Sequence, residues 1–578
     1  MKVSDYIVEY IIQLGITDIF GYPGGMVTHL MDSLGKREDR ISTHITYHEQ
    51  AAAFAACGYA QASDRVGVAF ATSGPGATNL ITGIGNAYFD SIPTVFITGQ
   101  VNTFESKGML GIRQRGFQET NIVSMVSEIT KAAFYVKSAE EIPEILYEAF
   151  RIAMEDRKGP VLIDIPMDIL RTDIVVNEPE HRCGEDLSQW SVISADFSEC
   201  LNNAIKVARR PCLVLGNGLK IDHQINNIRG ILRTCPIPVV SSMLAVDIIP
   251  EGQGLEGIYY GFIGAYGNRT ANFVVAKSDL LICLGTRLDV RQVGGKREQF
   301  ASNAKIIRID IDGAELNHKI RNEECSFCLP LKEAIPILRR ILAVCPSYNA
   351  WLEVCQSIKK QIKYIDEKEP NRFINAVSRH TPDGYSIVAD VGQHMVWVAQ
   401  SFRMKPDQRV YFSGGMGAMG YALPASIGIY YATRRPVVCF VGDGGIQMNI
   451  QEFQFLAREQ LPIKIIILNN FALGMIRHFQ EMYFNAAYYY TVQEKSCVWG
   501  GYTTPDFVKV AEAYGIKGNK VRDIGGVEAM QLETNEPQVF EIIFSGNTYV
   551  FPKLEFGKPN QDQEPLLDRA LYNYLMGL

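Results

Sequence analysis

Residues 437–470 read VVCFVGDGGIQMNIQEFQFLAREQLPIKIIILNN. Two apolar runs, 437–441 and 463–468, each stop at polar residues. The first ends in Gly442-Asp443-Gly444-Gly445, the second in Asn469-Asn470. Short continuous apolar runs mark strands buried on both faces of a parallel sheet, and the amphipathic segment between them supplies the crossover helix. Ligands of such sheets sit beyond the carboxyl ends of the strands. Asp443 and Asn470 are therefore expected at one sheet edge, on neighbouring strands. A carboxylate and an amide oxygen suit a hard divalent cation. Gly442, Gly444 and Gly445 let the backbone approach a bulky anion and turn amide N–H groups toward it. The helix that follows adds its positive end. Gly, Asp and Asn are also ordinary turn formers, so GDG alone would read as a strand-end turn. The paired strand ends instead read as a cradle for a magnesium-bound diphosphate.

Working outward, the chain has 578 residues, enough for three or four domains. Apolar residues make up 47% and charged residues 21%, the balance of a soluble globular protein. A net charge of -7 offers no basic footprint for nucleic acid, and no apolar run is long enough to span a membrane. Asp5 and Glu9 interrupt what would be a signal-peptide core, so the N-terminus reads as an amphipathic helix. Twelve cysteines show no framework spacing. The one CxxC, residues 325–328, has no second pair and no histidines at zinc spacing, which favours ordinary thiols and a reducing cytoplasm.

Strand-like and helix-like segments alternate along the chain, which predicts an α/β fold of three stacked domains, each a parallel sheet flanked by helices. The expected bounds are 1–170, 190–345 and 371–550, with a C-terminal tail at 551–578. A polar stretch near 177–190 and a helical stretch of mixed polarity at 346–370 read as linkers. No repeat or low-complexity tract stands out.

The GDG and NN pairs, with 26 residues between Asp443 and Asn470, match the thiamin-diphosphate pattern. Other motifs follow in one order: GYPGG (21–25), YHEQAAAFAACGYA (47–60), TSGPGATN (72–79), FITGQV (96–101), GFQET (116–120), GPVLIDIP (159–166), VGQHMVW (391–397) and SGGMGAMGYALPASIG (413–428). Over nearly its whole length the chain resembles thiamin-diphosphate enzymes of the acetolactate synthase family. The resemblance implies pyrimidine-binding, central and pyrophosphate-binding domains in that order. It also implies a homodimer or homotetramer with active sites at a subunit interface, because the family's glutamate and diphosphate site come from different subunits.

The resemblance assigns roles residue by residue. Glu49 matches the glutamate that hydrogen-bonds N1′ of the aminopyrimidine, so that N4′ can take the thiazolium C2 proton. A desolvated helix position would suit a carboxyl that has to hold a proton; by itself, an acid at a helix start would read as a partner of the dipole. Gly25 lies in the loop beside the reacting carbon, and Gln118 matches a glutamine near the substrate. Met419 matches the large apolar residue that bends the cofactor, and the carbonyl of Gly417 would accept from N4′. Gly392, Gln393 and His394 match the diphosphate-holding stretch, with Gly442, Asp443, Gly444, Gly445, Asn470 and Met475 as further cofactor contacts. Asp443, Asn470 and the carbonyl of Ala472 would bind magnesium. In the central domain Gly216, Gly218, Arg287 and Asp310, with Arg157 from the first domain, resemble FAD contacts. A glycine-rich strand-end loop is weak evidence by itself.

The reaction implied is decarboxylation of a 2-oxo acid, pyruvate being the expected donor, and transfer of the two-carbon unit to a second carbonyl. Three departures touch the second substrate. Met167 stands where the family's biosynthetic members usually have lysine, Phe479 where they have tryptophan, and Val290 where a second acid follows Asp289. Altered charge and volume at an acceptor pocket can shift specificity by orders of magnitude. Two further readings stay open: an acceptor other than pyruvate, such as a keto-sugar, and simple decarboxylation to an aldehyde. A catalytically dead paralogue is disfavoured by the intact Glu49, Asp443 and Asn470.

Overall fold

The computed structural model describes residues 1–175, 189–362, 366–493 and 501–578. The expected linker near 177–190 lies almost wholly outside them. Three six-stranded sheets carry the chain, and every strand pair in them is parallel.

The first sheet holds β1 (Asp18–Gly21), β2 (Ser42–Ile45), β3 (Gly67–Ala71), β4 (Thr94–Gln100), β5 (Ala132–Tyr135) and β6 (Pro160–Pro166), in the order β2-β1-β3-β4-β6-β5. The central sheet holds β7 (Pro211–Leu215), β8 (Val239–Ser241), β9 (Tyr259–Phe262), β10 (Leu280–Leu284), β11 (Lys305–Asp310) and β12 (Cys325–Cys328), ordered β12-β11-β10-β7-β8-β9. The third holds β13 (Ser386–Ala389), β14 (Arg409–Phe412), β15 (Val437–Gly442), β16 (Ile463–Asn469), β17 (Lys517–Val521) and β18 (Gln538–Ile543), ordered β14-β13-β15-β16-β18-β17.

The first and third sheets therefore share one topology, strand for strand, a duplication that the sequence reading did not find. In both, the chain leaves the first strand toward one edge and returns to the other side with the third. That switch point opens a crevice at the strand ends. In the first sheet the crevice is lined by the loops after β1 and β3; in the third, by the loops after β13 and β15. These are the loops that carry the motifs.

One continuous apolar core joins the first and third domains. Its seam is the pair of helices Glu49–Ser63 and Ala422–Thr433, both rich in alanine and glycine. A Cβ on Gly428 would lie 1.8 Å from the carbonyl oxygen of Ala55, and one on Gly58 2.3 Å from that of Ala425. Larger residues would force the backbones apart, at about 1–3 kcal/mol for overpacking. The contact fixes the helix that begins at Glu49 against the third domain.

One linker expectation needs correction. The stretch 346–370 is not a free linker. Its helix Asn349–Ile362 buries Trp351 and Cys355 in the central core, and the indole of Trp351 donates to the carbonyl of Pro211 at 3.0 Å. The mixed polarity that suggested a linker is simply the two faces of an amphipathic helix. The tail packs on the central domain of its own chain. Helix Arg569–Gly577 covers Phe273 and Ile358, and buried Arg269 donates to the carbonyls of Gln563 and Pro565. Among the described residues no helix is long and apolar enough to cross a membrane, and ten cysteines carry unpaired thiols.

Candidate active site

Gly442 ends β15 opposite Leu468 of β16, so Asp443 and Asn470 do project from neighbouring strand ends. The chain turns sharply after β16, with Phe471 at φ 55°. That turn brings the amide of Ala472 onto both groups: it lies 3.1 Å from Asp443 Oδ2 and 3.2 Å from Asn470 Oδ1. The two oxygens thus converge on one point. Burial pushes the Asp443 carboxyl up to about 7, although Tyr502 and the amide of Ala472 pull it down. A desolvated carboxylate beside an amide oxygen fits a divalent cation, which would supply the missing counter-charge. Among the described residues no three His, Cys, Asp or Glu side chains gather into another metal-binding group.

Asn470 is held from its other end. Its Nδ2 donates to Gln393 Oε1 at 3.1 Å and to Thr548 Oγ1 at 2.7 Å. Gln393 in turn donates to the carbonyls of Gly474 and Thr548. Gly474 is required here, since a Cβ would meet Gln393 Oε1 at 2.3 Å. Neither Thr548 nor Tyr502 belongs to a motif read from the sequence, and nothing local marks them.

His394 is buried, and its Nε2 has no hydrogen-bond partner. Its ring fills the space in front of Gly392 and Gly442, where added Cβ atoms would lie 2.6 and 2.8 Å from Cε1. Desolvation drives its pKa down to about 3. An orphaned ring nitrogen at a glycine-lined strand end fits an anionic ligand such as a diphosphate. A stability consequence follows from linkage. The folded pKa lies below the unfolded value, so the unfolded chain takes up the proton first as pH falls below 6.5. Stability present above that pH is then lost toward pH 3. At pH 5 the cofactor-free protein should be roughly 2 kcal/mol less stable on this account. His394→Gln should flatten that part of the profile in melts run between pH 7 and 5. An unchanged slope would contradict the assignment.

The loop at 413–421 runs beside this cradle. Gly417 has φ 67° and Gly420 φ 84°. Met419 lies over the start of the GDGG turn, its Cε 3.3 Å from where a Cβ of Gly444 would stand. Met475, half-buried, packs on the core of the third domain.

In the first domain, Glu49 begins its helix and is 9% exposed. Asn79 Nδ2 donates to Glu49 Oε2 at 2.9 Å, while Oε1 faces Gly76. Asn79 closes the TSGPGATN motif, so its role was visible as a motif but not as a bond. Gly25 lies open at the head of its loop, with nothing near an added Cβ, and Thr72 Oγ1 accepts from the amide of the next residue, Met26. Gln118 sits at φ 65° against Gly74. Its loop is tied down by Gln100, which donates to Thr120 O at 2.7 Å and to buried Asp164 at 2.9 Å. Glu49 at its helix start and Gly25 and Gln118 in their loops thus gather at one edge of the first sheet.

A cavity of about 840 Å³ opens between the first, central and third domains. Arg157, Gly218, Arg287 and Asp310 line it, as expected of a nucleotide site. Arg157 is paired there with Asp312 at 2.7 Å and Glu315 at 3.0 Å. Gly216 does not line it. A Cβ there would meet Gly285 O at 2.0 Å, so its glycine serves the packing of two strand-end loops behind the wall. The volume and the wall of glycines and arginines fit a dinucleotide.

Comparison with known proteins agrees with this layout. Residues 1–125 match the family model "Thiamine pyrophosphate enzyme, N-terminal TPP binding domain", 199–336 its central domain, and 390–540 its C-terminal TPP binding domain. The chain is 34% identical to the acetolactate synthase large subunit of Lactococcus lactis, over 96% of this chain and 94% of that one. It is 33% identical to the isozyme 2 large subunit of Escherichia coli, covering 97% and 99%. It is 35% identical to the chloroplastic acetolactate synthase 1 of rice, covering 97% and 87%.

Proposed function

This chain belongs to the acetolactate synthase large-subunit family of thiamin-diphosphate enzymes, and we propose that it decarboxylates pyruvate and joins the two-carbon unit to a carbonyl acceptor that need not be pyruvate. The observation that carries the reading is the meeting of Asp443 and Asn470 oxygens on one backbone amide, beside an orphaned His394 nitrogen and below Met419. When bound, thiamin diphosphate supplies the nucleophilic carbon and the electron sink that let a 2-oxo acid lose carbon dioxide.

The protein's residues do the rest. Asp443, Asn470 and the Ala472 carbonyl would hold magnesium. Gly392, Gln393, His394 and the GDGG amides would hold the diphosphate. Glu49 keeps one oxygen on Asn79 and leaves Oε1 to carry the proton shared with the aminopyrimidine. Gln118 and Gly25 stand at the substrate side. A homodimer is supported by the surface around Gln118: Phe104, Met109, Leu110, Ile112 and Phe117 are all exposed in the single chain, an apolar patch that a partner would cover. Unpaired thiols and the lack of a membrane-crossing helix among the described residues support a cytoplasmic setting.

FAD is the proposed occupant of the three-domain cavity. Purified protein should show flavin absorbance, and Gly218→Val, whose Cβ would stand 2.7 Å from the Gly285 backbone and push apart the two loops that wall the cavity, should lose it. Protein that stays colourless after incubation with FAD would contradict the assignment.

Acceptor choice turns on the residues at 167, 289 and 479. Phe479 is 43% exposed, its ring 4.6 Å from that of Tyr483. Met167 follows β6 directly and offers no charge to a second carboxylate. Asp289 is spent on its own helix start, accepting from the amides of Arg291 and Gln292 and pairing with Arg287. With methionine for lysine at 167 and phenylalanine for tryptophan at 479, an uncharged ketone, aldehyde or keto-sugar is the proposed acceptor in preference to pyruvate. In competition assays such carbonyls should be preferred, and Phe479→Trp should shift the ratio toward pyruvate by about tenfold or more. A strong preference of the unaltered enzyme for pyruvate would overturn this choice of acceptor.

A further inference from the structure

The loop at 413–421 carries Gly417 and Met419, yet few of its own side chains anchor it. It is held instead through its backbone, by buried acids at both ends. At the start, Asp90 accepts from the amides of Gly414 at 2.9 Å and Gly415 at 2.7 Å. Ser413 beside them donates to Asn86 at 2.6 Å and accepts from the amide of Ala418 at 3.0 Å. The two glycines are pinched. A Cβ on Gly415 would meet Phe89 at 2.7 Å, and one on Gly414 would meet Leu244 of the central domain at 2.7 Å.

At the end, Asp390 takes the amide of Gly420 on both oxygens, at 3.0 and 2.9 Å, and that of Val391 at 2.7 Å. Asp390 is fully buried. It also fills the space behind Gly445, where a Cβ would stand 2.5 Å from Oδ2. One carboxylate therefore bonds the end of the 413–421 loop and the turn after β13, and packs closely against the GDGG turn. Asn449 adds a third grip, donating to the carbonyl of Gly420 at 2.9 Å and to Gln50, next to Glu49, at 3.2 Å. Burial raises Asp90 to about 6 and Asp390 to about 7. A fold that needed only packing would not place two costly acids there.

We propose that Asp90 and Asp390 are positioning residues for the reaction, clamping the two ends of the 413–421 loop so that Met419 and Gly417 hold the cofactor in its activated shape. This rests on the reading of Met419 and Gly417 as cofactor contacts.

The test compares the unaltered protein with Asp90→Asn, Asp390→Asn and Met419→Ala. Three quantities are measured with thiamin diphosphate and magnesium: the cofactor dissociation constant by fluorescence quenching, the exchange of the bound C2 proton for deuterium by quenched-flow NMR, and the melting temperature. Each Asp→Asn variant should slow C2 exchange by about 10- to 100-fold, with cofactor affinity within about threefold of the original. Unchanged exchange, or a fall no larger than the loss of affinity, overturns the proposal. Should Asp390→Asn not fold, Asp90→Asn decides alone, because the proposal requires both clamps. Exchange unaffected in Met419→Ala would instead show that the cofactor reading has failed, and the proposal with it. Slow exchange in Met419→Ala with normal exchange in both Asp variants defeats the clamp alone.

Discussion

Glu49→Gln lowers turnover by about 10²–10⁴-fold while cofactor affinity changes little. Glutamine keeps the shape of the side chain and can still present an oxygen to Asn79, which lies 2.9 Å from the carboxylate. It cannot hold and release a proton at Oε1. The loss therefore falls on kcat and on C2 proton exchange rather than on binding, the signature of an interaction used only in the activated state. Steady-state kinetics paired with a binding titration check this. A variant with near-normal turnover would remove Glu49 from the mechanism.

Asp443→Asn has the opposite profile. It removes the one carboxylate of the proposed metal site, leaving only neutral oxygens to face a divalent cation. Magnesium-supported binding of thiamin diphosphate should weaken by about 100-fold or more, and saturating magnesium should recover part of the turnover. Thermal melts of the unaltered protein should rise with magnesium and cofactor together, and that rise should vanish in the variant. Mixing the two variants then tests the subunit arrangement. If each site takes Glu49 from one subunit and Asp443 from its partner, mixed dimers carry one site with both residues intact. Half the dimers in an equal mixture are of this kind, so activity should return to about a quarter of the original. No recovery would mean that each site is built within one chain, where Asn449 already links Gln50 to Gly420.

Much of the site was legible because parallel-sheet physics leaves a simple trace. Strands buried on both faces are plain apolar runs, and ligand-bearing residues cluster at their carboxyl ends. Asp443, Asn470 and Gly442 could be placed on that basis alone, and the order of motifs supplied Glu49, Gln118 and Met419. The unread part is what depends on chain crossings. Asp90 and Asp390 look like unremarkable acids after a helix and a strand, and only the fold brings them to the two ends of one loop. Thr548 reaches Asn470 from 78 residues away. The duplication of the first sheet in the third is a duplication of path, kept without a matching residue pattern. Gly216 and Gly218 read alike in LGNG, and both pack on the Gly285 loop, yet only Gly218 also lines the cavity. The helix 349–362 reads as a linker because half of its surface is polar, although its other face is core.

The measurement that bears most directly on the whole account is release of carbon dioxide from pyruvate by the purified protein, with product identification, in the presence and absence of thiamin diphosphate and magnesium. Release should need both additions, rise when an uncharged carbonyl acceptor is supplied, and leave the two-carbon unit in a new carbon–carbon bond. Release of carbon dioxide with free acetaldehyde as the sole product, or no release with any 2-oxo acid, would contradict it.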